Sequence, residues 1–308
     1  MLTKFWEGLG GELATKGMTH MLAPAFAFWS GGLLAYVWRF GRTNVDKWLQ
    51  GRDSIFLGAL VVATLLLLAA SNTLVQRLEW PLLRWLEGYW PNWLSWLRRF
   101  LIKRQQAKQT AREQQWQALA AKGLTTLPPA ERQQYAQLDQ TLRLFPASPN
   151  DMMPTRLGNY LRAAETWPRH KYGLDAVICW PRLWLLLPDN TRQDLAGARA
   201  ALNQDVEWFT WALLFAVWAV LTWWALIPSI VAMILAYRAA LQTATQYGSL
   251  IEATFDVHRT SLYQALRFPL PTTPAEELVR GVQLTEYLWR GGSGETPKLL
   301  PVPAKKED

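Results

Sequence analysis

The stretch FTWALLFAVWAVLTWWALIPSIVAMILAY, residues 209–237, runs for 29 residues without a charge in a chain otherwise dotted with Arg and Glu. Two shorter runs of the same character, MLAPAFAFWSGGLLAYVW (21–38) and IFLGALVVATLLLLAAS (55–71), lie nearer the N-terminus. At a rise of about 1.5 Å per residue, helices of this length match a hydrocarbon core of roughly 30 Å. Together the three runs predict an integral membrane protein.

A single helix over 209–237 would be about 43 Å long, more than a bilayer core needs. Trp208 and Trp211 mark one interface, and Trp223 and Trp224 mark the other about 24 Å further along. Pro228 and Ser229 then supply a tight turn, which divides the stretch into a third span over 208–226 and a fourth over 227–244. The first two runs, joined by the basic link RFGRTNVDKWLQGR (39–52), form a hairpin of their own. Ala27, Ser30 and Gly31 on the first span are small enough for another helix to approach closely. The fold class expected is an all-α membrane protein with two transmembrane helical hairpins (four spans) and a helical, partly interfacial cytoplasmic region.

The remaining chain divides by composition. Residues 1–20 predict a surface helix on the spacing of Leu2, Phe5, Trp6 and Leu9, and their acids and late apolar run do not suit a cleavable signal peptide. The first transmembrane hairpin occupies 21–71. Residues 72–104 are rich in Trp and Arg and predict interfacial helices. Glu79, Arg84 and Glu87 interrupt this segment and Pro81 and Pro91 break its hydrogen bonding, so it is not expected to span. From Trp93 onward Trp93, Leu94, Trp96, Leu97, Phe100 and Leu101 share one face, opposite Ser95, Arg98, Arg99 and Lys103. A Trp-rich apolar face beside a basic face has the composition of a helix lying among lipid headgroups, with Trp85, Trp93, Trp96, Arg98, Arg99, Lys103 and Arg104 as the lipid-interface set. The core-facing helix of a soluble domain is the alternative.

Residues 105–145 predict a water-facing helical hairpin with its turn at Leu127-Pro128-Pro129 and a second helix over 130–144. This hairpin is either a contact surface for a partner or protomer, or a solvated spacer. A cytoplasmic helical segment follows over 146–207, with a short amphipathic helix carrying Leu157, Tyr160, Leu161 and Ala164. Residues 175–180 are expected to be extended, and Pro181 to open a short apolar helical turn. The second transmembrane hairpin covers 208–245, cytoplasmic helices 246–290, and a disordered tail 291–308.

Composition bounds the rest. The 308 residues include 19 Trp and carry a net charge of +8. The excess lies in residues 72–207, with 18 Lys and Arg against 12 Asp and Glu, while residues 238–308 hold eight of each. A basic segment between spans points to anionic lipid headgroups rather than nucleic acid. The positive-inside tendency places the middle segment and both termini in the cytoplasm only imperfectly, because the 39–52 link is itself basic. A single cysteine, Cys179, excludes an internal disulfide and a cysteine-based zinc site.

Chemistry-bearing motifs are absent from the sequence. The three histidines His20, His170 and His258 lack metal-ligand spacing, and there is no phosphate loop, HExxH or GxSxG. The triples Glu165/His170/Asp175 and Asp256/His258/Arg259 are the kind that arise by chance, so neither an enzyme nor a cofactor is expected. Glu252, Asp256 and Arg259 stand one turn apart and are expected to form intrahelical ion pairs, with a buried pairing of Asp256 to Arg156 or Arg162 as the alternative.

Arg238 differs from these. About 16 Å beyond the Pro228 turn, it heads a polar stripe continued at helical spacing by Gln242, Thr245, Gln246 and Ser249. Such a stripe suits a water-filled pathway or an oligomer face. Alternatively the helix leaves the membrane here and Arg238 snorkels to the headgroups.

The blocks LGNYLRAAE, KYGLDAVICWPRLWLLLP and YGSLIEATFDVHR resemble segments of a group of bacterial membrane proteins, over residues 157–259. The resemblance implies a bacterial inner-membrane setting and brings no activity, ligand or site. Two functions fit these features. One is a homo-oligomeric inner-membrane protein that forms a pore or perturbs the bilayer, gated by its cytoplasmic helices. The other is a non-conducting, membrane-anchored scaffold that docks a soluble partner through residues 103–145.

Overall fold

Ten α-helices and no strand are found among the residues that the computed structural model describes, 18–291 and 299–301, with side chains from residue 23 onward. The all-α expectation holds for them. The surface helix expected over residues 1–20 and most of the tail expected over 291–308 lie outside the described residues. The helices are α1 (Met18–Phe40), α2 (Thr43–Leu49), α3 (Ser54–Glu87), α4 (Ser95–Ala121), α5 (Pro129–Arg143), α6 (Arg156–Tyr172), α7 (Ala176–Leu186), α8 (Asp189–Phe215), α9 (Leu226–Ala265) and α10 (Pro274–Arg290).

Two compact units emerge. An apolar unit comprises the described residues up to Leu83 together with Asn203–Ala240; a charged unit comprises Arg84–Leu202 and the described residues from Leu241 on.

In the apolar unit, α1 presents small residues to aromatic rings. A methyl group on Gly32 would meet the Trp218 ring at 2.3 Å, and Trp218 Nε1 donates to the Phe28 carbonyl at 3.1 Å. Ala25, Leu68, Val75 and Trp211 form a buried cluster beside them. Trp29 Nε1 donates to Ser71 Oγ at 3.3 Å, linking α1 to α3.

Two sequence expectations are corrected in this unit. Pro81, expected to break the segment after the second apolar run, lies inside α3, which continues from that run to Glu87. The division of 209–237 falls earlier than Pro228. Helix α8 ends at Phe215, 3-10 turns follow at Ala216–Val220 and Trp223–Ala225, and α9 begins at Leu226. Pro228 therefore sits in the first turn of α9, where a helix has no use for its missing N–H. Ser229 Oγ donates to the Ala212 carbonyl at 2.7 Å, fastening the start of α9 to α8.

Among the described residues two helices are long and apolar enough to cross a membrane, one beginning at Ser54 and one at Trp223. Only 6% of the first apolar window and 22% of the second is buried within the chain. The buried core helix of a soluble domain shows the opposite pattern.

In the charged unit, α4 and α5 form an antiparallel hairpin. Trp116 stacks on Tyr135 with centroids 5.5 Å apart, and Lys122 pairs with Glu131 at 2.8 Å near the turn. Helix α6 starts at Thr155, whose hydroxyl accepts from the Gly158 N–H, and stops at Gly173. There φ is +73°, a conformation glycine adopts without strain, and the Leu278 carbonyl lies 2.2 Å from where a side chain would begin. Residues 175–180, expected to be extended, open α7 instead. The Asp175 side chain accepts from the Val177 and Ile178 N–H groups, a helix cap that overrides the weak helix propensity of a Val-Ile-Cys run. Leu174, Leu183, Leu195, Phe255, Leu262 and Phe268 are fully enclosed where these helices meet α8, α9 and α10.

Candidate functional site

The polar stripe lies along one unbroken helix, since Arg238 through Ser249 all belong to α9. Arg238, Gln242, Gln246 and Ser249 are exposed and Thr245 is half-buried, its hydroxyl donating to the Leu241 carbonyl at 2.9 Å. The lipid-interface set is also outward-facing. Trp93 and Trp96 are 70% and 64% exposed, and Trp85, Arg99, Lys103 and Arg104 are exposed with them. Arg98 alone is half-buried. Of the helix-packing set, Gly31 meets the Phe215 ring and Ser30 is half-buried, whereas Ala27 lines an apolar recess of about 190 Å³ with Trp208, Trp211 and Pro228. At Gly31 the close approach is made by a ring of the same chain.

The residues of the Glu165/His170/Asp175 triple are spent on separate contacts. Glu165 pairs with Arg162 at 2.7 Å, Asp175 caps α7, and His170 is exposed. Among the described residues no three His, Cys, Asp or Glu side chains are placed to hold a metal ion. Cys179 is buried against Thr285, and burial pushes its thiol up to about 11, away from reactivity.

The Asp256 carboxylate does not pair with Arg259 along their own helix, where Arg259 donates to the Asp256 main-chain carbonyl instead. Asp256 takes the Lys171 ammonium at 3.0 Å and the Tyr172 hydroxyl, both from α6. Arg259 reaches Glu277 on α10 at 2.6 Å and stacks over Tyr172 at 4.1 Å. The alternative partners Arg156 and Arg162 are engaged elsewhere, with Tyr160 and with Asp151 and Glu165. Burial would raise Asp256, but the bonds from Tyr172 and Lys171 outweigh it and hold the carboxyl below its ordinary value. This cluster ties α6, α9 and α10 together and is complete in itself.

The most concentrated chemistry is a cleft of about 310 Å³ that sequence spacing could not reveal, because its walls come from five helices and the segment after α3. Arg84 and Glu87 end α3, Tyr89 follows, Arg162 and Glu165 stand on α6, Trp180 on α7, Arg199 on α8 and Tyr247 on α9. Its floor is set by a tight helix junction. The Glu87 carbonyl accepts from the Thr155 hydroxyl at 3.0 Å, and a Cβ on Gly158 would lie 1.9 Å from that same oxygen. Asn159, wholly buried beside it, bonds the Met153 N–H and C=O and the Thr155 C=O at 2.8, 2.9 and 2.8 Å.

Arg84 and Arg199 each lie over an aromatic ring, Tyr89 at 3.7 Å and Tyr247 at 5.7 Å. Arg84 pairs loosely with Glu87 at 3.6 Å. Burial raises the Glu87 carboxyl above its ordinary value, against the pull of Arg84 and Arg199, and the nearby Glu165 adds to the rise. Beside the α4–α5 hairpin a second, larger groove of about 560 Å³ carries Gln106, Gln109, Trp116, Arg143, Trp167 and His170.

No family model, no curated protein and no solved structure matches this chain.

Proposed function

We propose that the chain is a bacterial inner-membrane protein whose apolar unit is an anchor and whose charged unit is a cytoplasmic docking module. The observation that carries this reading is the chemistry of the exposed faces of the apolar unit. Along residues 55–70 every exposed side chain is apolar except Thr64, and its hydroxyl is spent on the Leu60 carbonyl at 2.8 Å. Along residues 208–235 every exposed side chain is apolar. Such faces suit lipid tails and offer no polar lane for an ion or solute. Four crossings, by α1, by α3 and by the two limbs meeting at residues 216–225, keep the charged unit on one side. The exposed Trp85, Trp93 and Trp96 with Arg99, Lys103 and Arg104 then rest among anionic headgroups, which suit Trp rings and basic side chains together. The partner is a soluble protein received on the α4–α5 hairpin and its groove.

Photocrosslinking residues introduced at the exposed positions Ala107 and Gln133 in cells provide the test, together with dye retention in proteoliposomes. An adduct with a soluble protein and tight vesicles are expected. Adducts between copies of the chain, with leaking vesicles, would replace this reading by the second one.

That second reading, a homo-oligomer enclosing a gated pathway, is favoured by one observation: Arg238, Gln242, Gln246 and Ser249 form an exposed polar face on α9. It predicts that Arg238→Ala changes vesicle flux and that the detergent-solubilised mass is a multiple of 35.2 kDa.

A further inference from the structure

We propose that the cleft bounded by Arg84, Arg162 and Arg199 is a binding site for a small organic anion, one carboxylate or phosphate group on a flat apolar body. The inference rests on the charged unit alone and stands whether or not that unit docks a protein. A volume of about 310 Å³ lies at the lower end of the range for small-molecule sites.

Three arginines from three different helices line it. Arg162 is satisfied by Glu165 at 2.7 Å and Asp151 at 3.3 Å. Arg199 is not: among the described residues no carboxylate lies within ion-pair distance of it, and it is held over the Tyr247 ring instead. A ring positions a guanidinium without occupying its in-plane donors, which leaves the fork free for a planar or tetrahedral oxyanion. Glu87 lines the same cleft, where burial raises its carboxyl above the ordinary value against the pull of Arg84 and Arg199.

Much of the remaining lining is apolar. Trp180, Pro181, Leu161 and Ile251 belong to it, and Trp180 packs on Phe255 at a centroid distance of 5.8 Å. An oxyanion at Arg199 leaves this apolar lining, Trp180 included, to receive the body of the same molecule.

Phenyl phosphate is a probe that carries both halves, with inorganic phosphate and benzyl alcohol as the separate halves. Titration calorimetry on the full chain in a nonionic detergent is expected to show saturable binding of phenyl phosphate, one per chain, and weaker binding of either half. Arg199→Ala should weaken it by tenfold or more and Trp180→Leu several-fold, while Arg238→Ala leaves it unchanged. Circular dichroism and the melting temperature check that each variant is folded, and Arg199→Lys, which keeps the charge but loses the fork, should fall between. Three outcomes would overturn the proposal: no saturable binding by about 5 mM, a weak affinity already; binding untouched by Arg199→Ala; or inorganic phosphate binding as tightly as phenyl phosphate. Loss of probe binding when phosphatidylglycerol is added to the micelles would overturn it too, assigning the cleft to a lipid headgroup.

Discussion

Gly31 lies directly against the ring of Phe215, so that a methyl group on its Cα would sit 2.3 Å from Phe215 Cε2. Gly31→Ala must push the ring aside, and overpacking of this kind costs about 1–3 kcal/mol. Gly58 on α3, with open space around it, is the matched control. Thermal unfolding in detergent should show Gly31→Ala well below the parent and Gly58→Ala at or slightly above it. Equal melting temperatures for the two variants would remove the α1–Phe215 contact from the description.

Asn159 is the polar pin of the charged unit. All three of its bonds go to backbone groups, at 2.8, 2.9 and 2.8 Å. Asn159→Leu strands those groups in a buried setting and should cost about 2–3 kcal/mol. Gly158→Ala, whose new carbon meets the Glu87 carbonyl rather than a movable side chain, should be at least as damaging. Both are read by melting temperature, and a loss of less than about half a kcal/mol for either, the scale of an ordinary surface substitution, would contradict the packing described.

Two carboxyl groups give opposite pH signatures. Asp256 is held below its ordinary value of 3.8, so its contribution is present above that pH and is lost as acid carries the solution through the depressed folded value. Asp256→Asn should therefore flatten stability below about pH 4. Glu87 is raised above 4.5, so its contribution is full below that pH and is lost as the pH rises through the folded value. Glu87→Gln should gain on the parent in melting temperature between about pH 4.5 and neutrality, and a constant difference across that window would contradict the buried environment assigned to Glu87.

Cys179, buried and with its thiol raised to about 11, should resist a maleimide at neutral pH until the chain is unfolded. The parent chain is then a usable blank for topology. A cysteine placed at Asn44, in the link after α1, should react with an impermeant reagent from outside the cell, and one at Ala107 only after the membrane is opened. Reaction at both from the same side would dismantle the hairpin topology proposed.

Much of the local structure could be read in the order of residues, because its causes are local. Pro129 opens α5, within one residue of the start expected for that helix. The failures share a cause. Pro81 and Pro228 were weighed as breakers, but a proline costs a helix little in its first turn and can be absorbed where neighbouring packing holds the axis. At residues 175–180 an extended segment was expected, but the Asp175 cap satisfies helix donors that nothing else can reach.

By itself the order of residues determined that the chain is helical and that long stretches of it avoid water, since charge, apolar run length and helix caps act over a few turns. Only the tertiary structure decided that Arg259 crosses to Glu277, that Asp256 faces Lys171, and that Arg84, Arg162 and Arg199 meet in one cleft. Those pairings join residues up to 115 positions apart in a chain of 308, and a distance closed by folding leaves no periodicity behind to be read.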